Sequence, residues 1–394
     1  MKDTSSKQIL LPLQGLRALA FIGIFLSHCN VGILSSSGLG DWGVSVFLIL
    51  SGFLMMINYF HSDKLTNCSL KGNLKFSLKK ISKIYPLHIV MMIAALPFEI
   101  RAILTNHGGV LHSCIVLLLK VFLNITVTQS FVPYSSIYYS LNSVSWYLSV
   151  CLLTYFCFPW ILRYFKKKMN FRKANLLIPT LLVLQIVLCW LSSKMDLAIS
   201  DGFTEWFVYN FPIMRMIDFL FGIALGYVYL QHRDNDEQSN KKLWILNQKG
   251  AEDVALLLDL AALVVMLIVY SLTNPGGDLF SHSELWWRYS CLFTLLNGVM
   301  IYLLAMDNGV LSRVLSTKGI VFIGEISSTA FLIHQMIIRY LNTFIKYIDT
   351  DALLVSKVLI VCAPLLLTVV VCEIWNKLYQ KIKLIIQTKR SSWK

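Results

Sequence analysis

The sequence predicts an all-α integral membrane protein, a polytopic helical bundle, and three observations carry that expectation. Of 394 residues, 56% are hydrophobic and only 14% are charged, where soluble domains carry about a quarter charged. The apolar residues fall into eleven runs, and mean hydropathy is +0.65. Basic residues cluster in alternate connections, the bias that orients spans across a bilayer. A net charge of +14 spread in this way gives no nucleic-acid module and favours anionic headgroups or anionic ligands. The nine cysteines lie mostly in apolar runs and form no C-x-x-C pair, so they read as small buried residues.

Met1 to Gln8 is a basic lead expected in the cytoplasm, and the run Ile9 to Cys29 goes outward as a retained span. A Ser/Gly-rich turn from Ser35 to Gly40 precedes a return over Trp42 to Phe60. Six lysines between Lys64 and Lys83 then mark a cytoplasmic connection. Three runs follow before the next basic cluster, Arg163 to Lys173: Ile84 to Leu104, Val110 to Thr128 and Val144 to Tyr164. Two cytoplasmic loops are joined by an even number of crossings, so one run fails to cross. The middle one, with Lys120 and Asn124, is expected to be re-entrant or interfacial, a form tolerated where protein buries it. Ala174 to Ser192, Pro212 to Leu230, Val254 to Leu272, Leu285 to Ala305, Ile320 to Ile345 and Leu353 to Leu378 alternate thereafter. The expectation is ten full spans in a single domain over 1–394, both termini cytoplasmic, with a basic tail over 379–394.

Within the first run, Arg17 and His28 are eleven residues apart, close to three helical turns, so they share one face about 16 Å apart. Ionisable groups in a span point to function, but Arg17 can also snorkel to the boundary and His28 can be a bonded core histidine. His28 and His334 each lie about 22 Å along their spans, which places two histidines at one depth. An imidazole there can act as a general base, and a core histidine bonded to a carbonyl is the alternative for His334. Arg215 and Asp218, at i, i+3, can pair with each other or meet substrate. Trp146 and Ser149 suit a sugar or an interfacial belt, and Lys79, Lys80 and Lys83 suit phosphates or topology alone. No phosphate loop, H-E-x-x-H or metal-ligand set is present in the sequence, and no catalytic metal is expected.

Taken in order, LQGLRALAFIGIFLSH, GVSVFLILSGFLM, KKISKIYPLH, SWYLSVCLL, FPIMRMIDFLFGIALG and IGEISSTAFLIHQ resemble the motifs of the membrane-bound acyltransferase-3 family, bacterial proteins that O-acetylate surface polysaccharides. The resemblance implies transfer of an acetyl group from cytoplasmic acetyl-CoA to a hydroxyl of a glycan or lipid-linked glycan at the outer face of the cytoplasmic membrane. It implies catalytic roles for Arg17 and His28 and donor contacts at Lys79, Lys80, Lys83 and Tyr85. Ser51, Gly52, Trp146, Ser149, Arg215, Asp218 and His334 become substrate or supporting residues. Ser45 and Cys151 stand where many members carry acids, and the basic motif holds lysines where many hold arginines. Lysine keeps the charge but loses bidentate phosphate geometry. Many relatives append an extracytoplasmic esterase-like domain, which this sequence does not show, so a second transfer step is expected to use a partner. A glycan or solute transporter is the alternative, with internal repeats as its missing signature.

Overall fold

The computed structural model describes residues 10–29, 38–62, 65, 69–105, 109–199, 203–239, 257, 260–261, 264, 291–306, 309–345 and 353–391. Its principal helices are α1 (Leu11–His28), α2 (Leu39–Tyr59), α3 (Leu70–Ile81), α4 (Tyr85–Thr105), α5 (Val110–Ile125), α6 (Trp146–Lys168), α7 (Phe171–Ile199), α8 (Pro212–Ser239), α9 (Cys291–Met306), α10 (Val310–Leu315), α11 (Lys318–Ile345) and α12 (Leu353–Ser391). No strand occurs among the described residues.

Eight of these helices are long and apolar enough to cross a membrane, where the sequence led us to expect ten. All eight coincide with expected crossings. The run Leu285 to Ala305 is described only as the short helix α9, and of Val254 to Leu272 only residues 257, 260–261 and 264 are among the described residues. Helix α5 has 16 residues and at 1.5 Å per residue reaches about 24 Å, short of a ~30 Å hydrocarbon core.

One helix was not expected. The lysine-rich connection contains α3, opened by Ser69, whose Oγ accepts from the Gly72 amide at 3.0 Å. Its charge run conceals a helical stripe. Asn73 and Ser77 are buried and donate to the carbonyls of Phe156 (3.1 Å) and Leu152 (2.7 Å) on α6. Four residues forward on α3 match four back on α6, so the two helices run antiparallel. Leu70, Leu74 and Leu78 form an exposed apolar stripe, and Lys71, Lys75 and Lys79 lie beside it at the same i+4 spacing.

Close helix approaches set the frame. Gly52 of α2 sits on the Phe219 carbonyl of α8, and Gly222 of α8 sits on the Ile49 carbonyl of α2, so a Cβ at either would overlap backbone. Small residues of this kind allow van der Waals packing between spans where lipid supplies no hydrophobic drive. Asp218 then ties three helices: it pairs ionically with Arg215 (2.9 Å) and accepts from Gln185 (3.0 Å) and Thr294 (2.6 Å). The guanidinium balances the buried carboxylate's charge within the protein.

Between α5 and α6 the chain folds back through residues 126–145 and pairs many of its polar groups within the protein. Asn124 donates to Ser140 (3.0 Å) and accepts from Ser145 (3.2 Å); Gln129 donates to Ser145 (3.3 Å) and accepts from Ser149 (3.2 Å). Trp206 reaches the Ser130 carbonyl at 3.0 Å. Val127 (φ 57°) and Leu141 (φ 60°) occupy the left-handed region, which costs a β-branched or bulky residue about 1–3 kcal/mol and persists only where the surroundings over-determine it.

Candidate active site

Helices α1 and α11 build the centre of the site. They approach so closely that Gly324 lies on the Gln14 carbonyl. At that crossing, Arg17 donates to Ser328 Oγ at 2.7 Å and to Gln14 Oε1 at 3.3 Å. Tyr147, Tyr155 and Glu325 are its electrostatic neighbours. Arg17 keeps part of its surface accessible. Ser51 joins this region through a 3.2 Å hydrogen bond to the Tyr155 hydroxyl.

Farther along the same two helices the histidines meet. His28 Nδ1 lies 2.8 Å from the Ile24 carbonyl and 3.3 Å from His334 Nε2, with ring centroids 5.1 Å apart. A carbonyl only accepts, so His28 carries its proton on Nδ1 and leaves Nε2 as the basic nitrogen. His334 Nδ1 likewise donates to the Ala330 carbonyl at 3.1 Å, which turns its own Nε2 lone pair toward His28. Phe21, Phe25 and Phe331 pack around the fully buried His334 and fix its ring.

His28 opens on a cleft of about 620 Å³. Trp146, Tyr209 and Phe331 supply aromatic walls, with Trp146 and Tyr209 centroids 4.8 Å apart. Asp41, Glu99, Glu205, Tyr139, Gln335 and Arg339 supply polar groups. Gln335 also accepts from the Val144 amide at 3.2 Å, and Asn142 donates to the Leu332 carbonyl at 2.9 Å, so the folded-back segment is pinned to α11 as a wall of the cleft. Tyr139 donates to Glu205 (3.3 Å), and burial together with that carboxylate pushes its phenol well above the ordinary value. It stays a hydroxyl.

Residues 12–374 match the family model described as an acyltransferase domain. The chain belongs to the acyltransferase-3 family. It is similar to acyltransferase MdmB of Streptomyces mycarofaciens, 25% identical over 345 residues that make up 83% of this chain and 79% of that protein. It is also similar to O-acetyltransferase OatA of Staphylococcus aureus (strain NCTC 8325 / PS 47), 22% identical over 339 residues, 84% of this chain and 51% of that one. No solved structure matches. The protein is therefore an acyltransferase with several helices of membrane-crossing length.

Placed in this acyltransferase, the residues selected from sequence separate into groups. Arg17, His28, His334, Ser51 and Trp146 gather along the α1–α11 file and the cleft. Ser149 belongs to the folded-back network, Gly52 to the α2–α8 contact, and Arg215 with Asp218 to the interhelical tie, although Arg215 also lies over the Tyr209 ring at 5.7 Å. Tyr85 donates to the Ile125 carbonyl at 2.8 Å, and Lys80 rests over the Tyr59 ring at 4.7 Å. Lys79 and Lys83 are exposed. Asp41, Glu99, Glu205 and Arg339 escaped selection. Glu99 and Arg339 carried a usable signal, because each is a charge inside an apolar run; Asp41 and Glu205 sit at helix starts and carried none.

Proposed function

We propose that this acyltransferase moves an acetyl group from cytoplasmic acetyl-CoA to a hydroxyl of a surface polysaccharide or its lipid-linked precursor, at the outer face of a bacterial cytoplasmic membrane. The supporting observation is the file of Arg17, His28 and His334 beneath a cleft with aromatic and polar walls. In this reading the donor comes from the side of Arg17 and the acceptor hydroxyl from the cleft. His28 Nε2 removes the hydroxyl proton as the oxygen attacks the thioester carbonyl. The carbon–sulfur bond breaks, and the imidazolium returns its proton to the leaving thiolate. While His28 is charged, the Ile24 carbonyl and the His334 Nε2 lone pair both face its Nδ1 proton. Arg17, held by neutral partners, keeps its charge for the donor's thioester oxygen or phosphates.

Reconstituted protein with radiolabelled acetyl-CoA and glycan acceptors tests this reading. His28→Ala is expected to lower transfer by about 10²–10⁴-fold, the usual worth of a positioned general base. Wild-type transfer by that variant overturns the assignment.

A further inference from the structure

The aromatic wall of the cleft is braced from behind by a buried ion pair. Trp146 and Tyr209 line the cleft with ring centroids 4.8 Å apart and planes inclined at 53°. Trp146 is 3% exposed, whereas Tyr209 is only partly buried, so Tyr209 offers an occupant the larger share of ring. Tyr209 sits in the π turn Trp206–Asn210, just before α8. A five-residue turn holds a side chain through its neighbours more than through its own hydrogen bonds.

Arg215 is one such neighbour. Its guanidinium carbon lies over the Tyr209 ring, 5.7 Å from the centroid, while Nη1 pairs with Asp218 at 2.9 Å. The Arg215 side chain is 2% exposed and does not line the cleft, so an occupant meets the ring and not the guanidinium. Asp218 is fixed in turn by Gln185 of α7 and Thr294 of α9. A planar guanidinium can pair with a carboxylate along one edge and stack on an aromatic ring at once. Cation–π attraction gains strength where the cation is desolvated, as it is here. An aromatic ring packs by its face, so its angle decides how a sugar ring can lie on it.

We propose that Arg215 is a positioning residue for the acceptor: anchored by Asp218, its guanidinium holds the Tyr209 ring beside Trp146 as the platform on which the acceptor sugar stacks. This deepens the acetyl-transfer reading and rests on its assignment of the cleft to the acceptor.

The test uses full-length reconstituted protein, labelled acetyl-CoA and one glycan that wild type acetylates. Tyr209→Leu is expected to raise acceptor KM about tenfold. Arg215→Lys keeps a charge for Asp218 but loses the planar group that spans Asp218 and Tyr209. It is expected to raise acceptor KM about fivefold, with smaller changes in donor KM and kcat. In the double variant the effects are expected to collapse to about tenfold, where independent sites would give roughly fiftyfold. A wild-type acceptor KM in Tyr209→Leu, or an additive double variant, overturns the positioning role and leaves the transferase reading standing. Loss of folding in Arg215→Lys, or equal damage to donor KM, acceptor KM and kcat, overturns it in favour of the interhelical tie alone. Absence of transfer to any glycan by wild type counts against the acetyl-transfer reading, and the inference falls with it.

Discussion

The two sides of His28 are built in opposite ways. On the Arg17 side, the direct hydrogen-bond partners of the cation come from α1 and α11, which meet along one line, and are neutral, with Glu325 of α11 and Tyr147 and Tyr155 of α6 nearby. On the cleft side, α1, α2, α4, the folded-back segment, the turn before α8 and α11 all contribute, and carboxylates outnumber the guanidinium. The first side depends on spacing within helices and the second on how distant segments assemble. A substitution on the Arg17 side should therefore act on the chemistry directly, and one on the cleft side through architecture or acceptor choice.

The largest expected contrast uses Arg17. Arg17→Ala removes the cation beside Ser328 without touching the cleft, and kcat/KM for the donor is expected to fall about 100-fold. Arg17→Lys should recover only part of the loss, since lysine lacks the fork that reaches Ser328 and Gln14 together. Initial rates against donor and against acceptor check this. A loss confined to the acceptor constant would erase the distinction between the two sides.

A cleft-side counterpart is Asn124→Ala. Asn124, itself fully buried, joins buried Ser140 and Ser145 and the Lys120 carbonyl, and leaving those groups unpaired is expected to cost about 2–3 kcal/mol of stability. Thermal unfolding in detergent measures it. Because the same network pins the folded-back wall, the acceptor constant should worsen more than the donor constant.

His334→Asn sits between the two sides. It retains a polar group near His28 Nδ1 but loses the imidazole geometry, so kcat is expected to drop about tenfold with both KM values little changed, as for a group that orients a base. His334→Phe should lose more. Equal effects of the two substitutions would make His334 a packing residue.

These contrasts match what the sequence made legible. The eleven-residue spacing of Arg17 and His28 and the depth match with His334 are helix arithmetic, which allowed the two histidines to meet, and the structure brings them together. The α3 helix was hidden because its lysines read as a topology signal, while its packing depends on Asn73 and Ser77, two small polar residues with no apolar period. Asp41 and Glu205 belong to the cleft only because α2 and the π turn Trp206–Asn210 present their ends to it. No local pattern encodes that meeting. The functions of the three donor-side lysines were read from one motif as a unit, yet the structure separates them.

That separation gives the smallest and most discriminating prediction. Lys79 and Lys83 are exposed, whereas the Lys80 ammonium lies over the rings of Tyr59 (4.7 Å) and Phe76 (5.5 Å). If the exposed pair attracts donor phosphates through solvent, Lys79→Gln and Lys83→Gln should each raise donor KM about threefold at low salt, and the effect should fade as added salt shortens the Debye length toward ~3 Å at 1 M. Lys80→Gln should leave donor KM unchanged and cost about 0.5–1 kcal/mol of stability through the lost cation–π contact. Donor KM at two ionic strengths, with thermal unfolding of the same three variants, separates the outcomes. A common threefold rise for all three lysines would restore the single basic motif and place Lys80 back among the donor contacts, because a side chain fixed on aromatic rings would then have to leave them to bind phosphate.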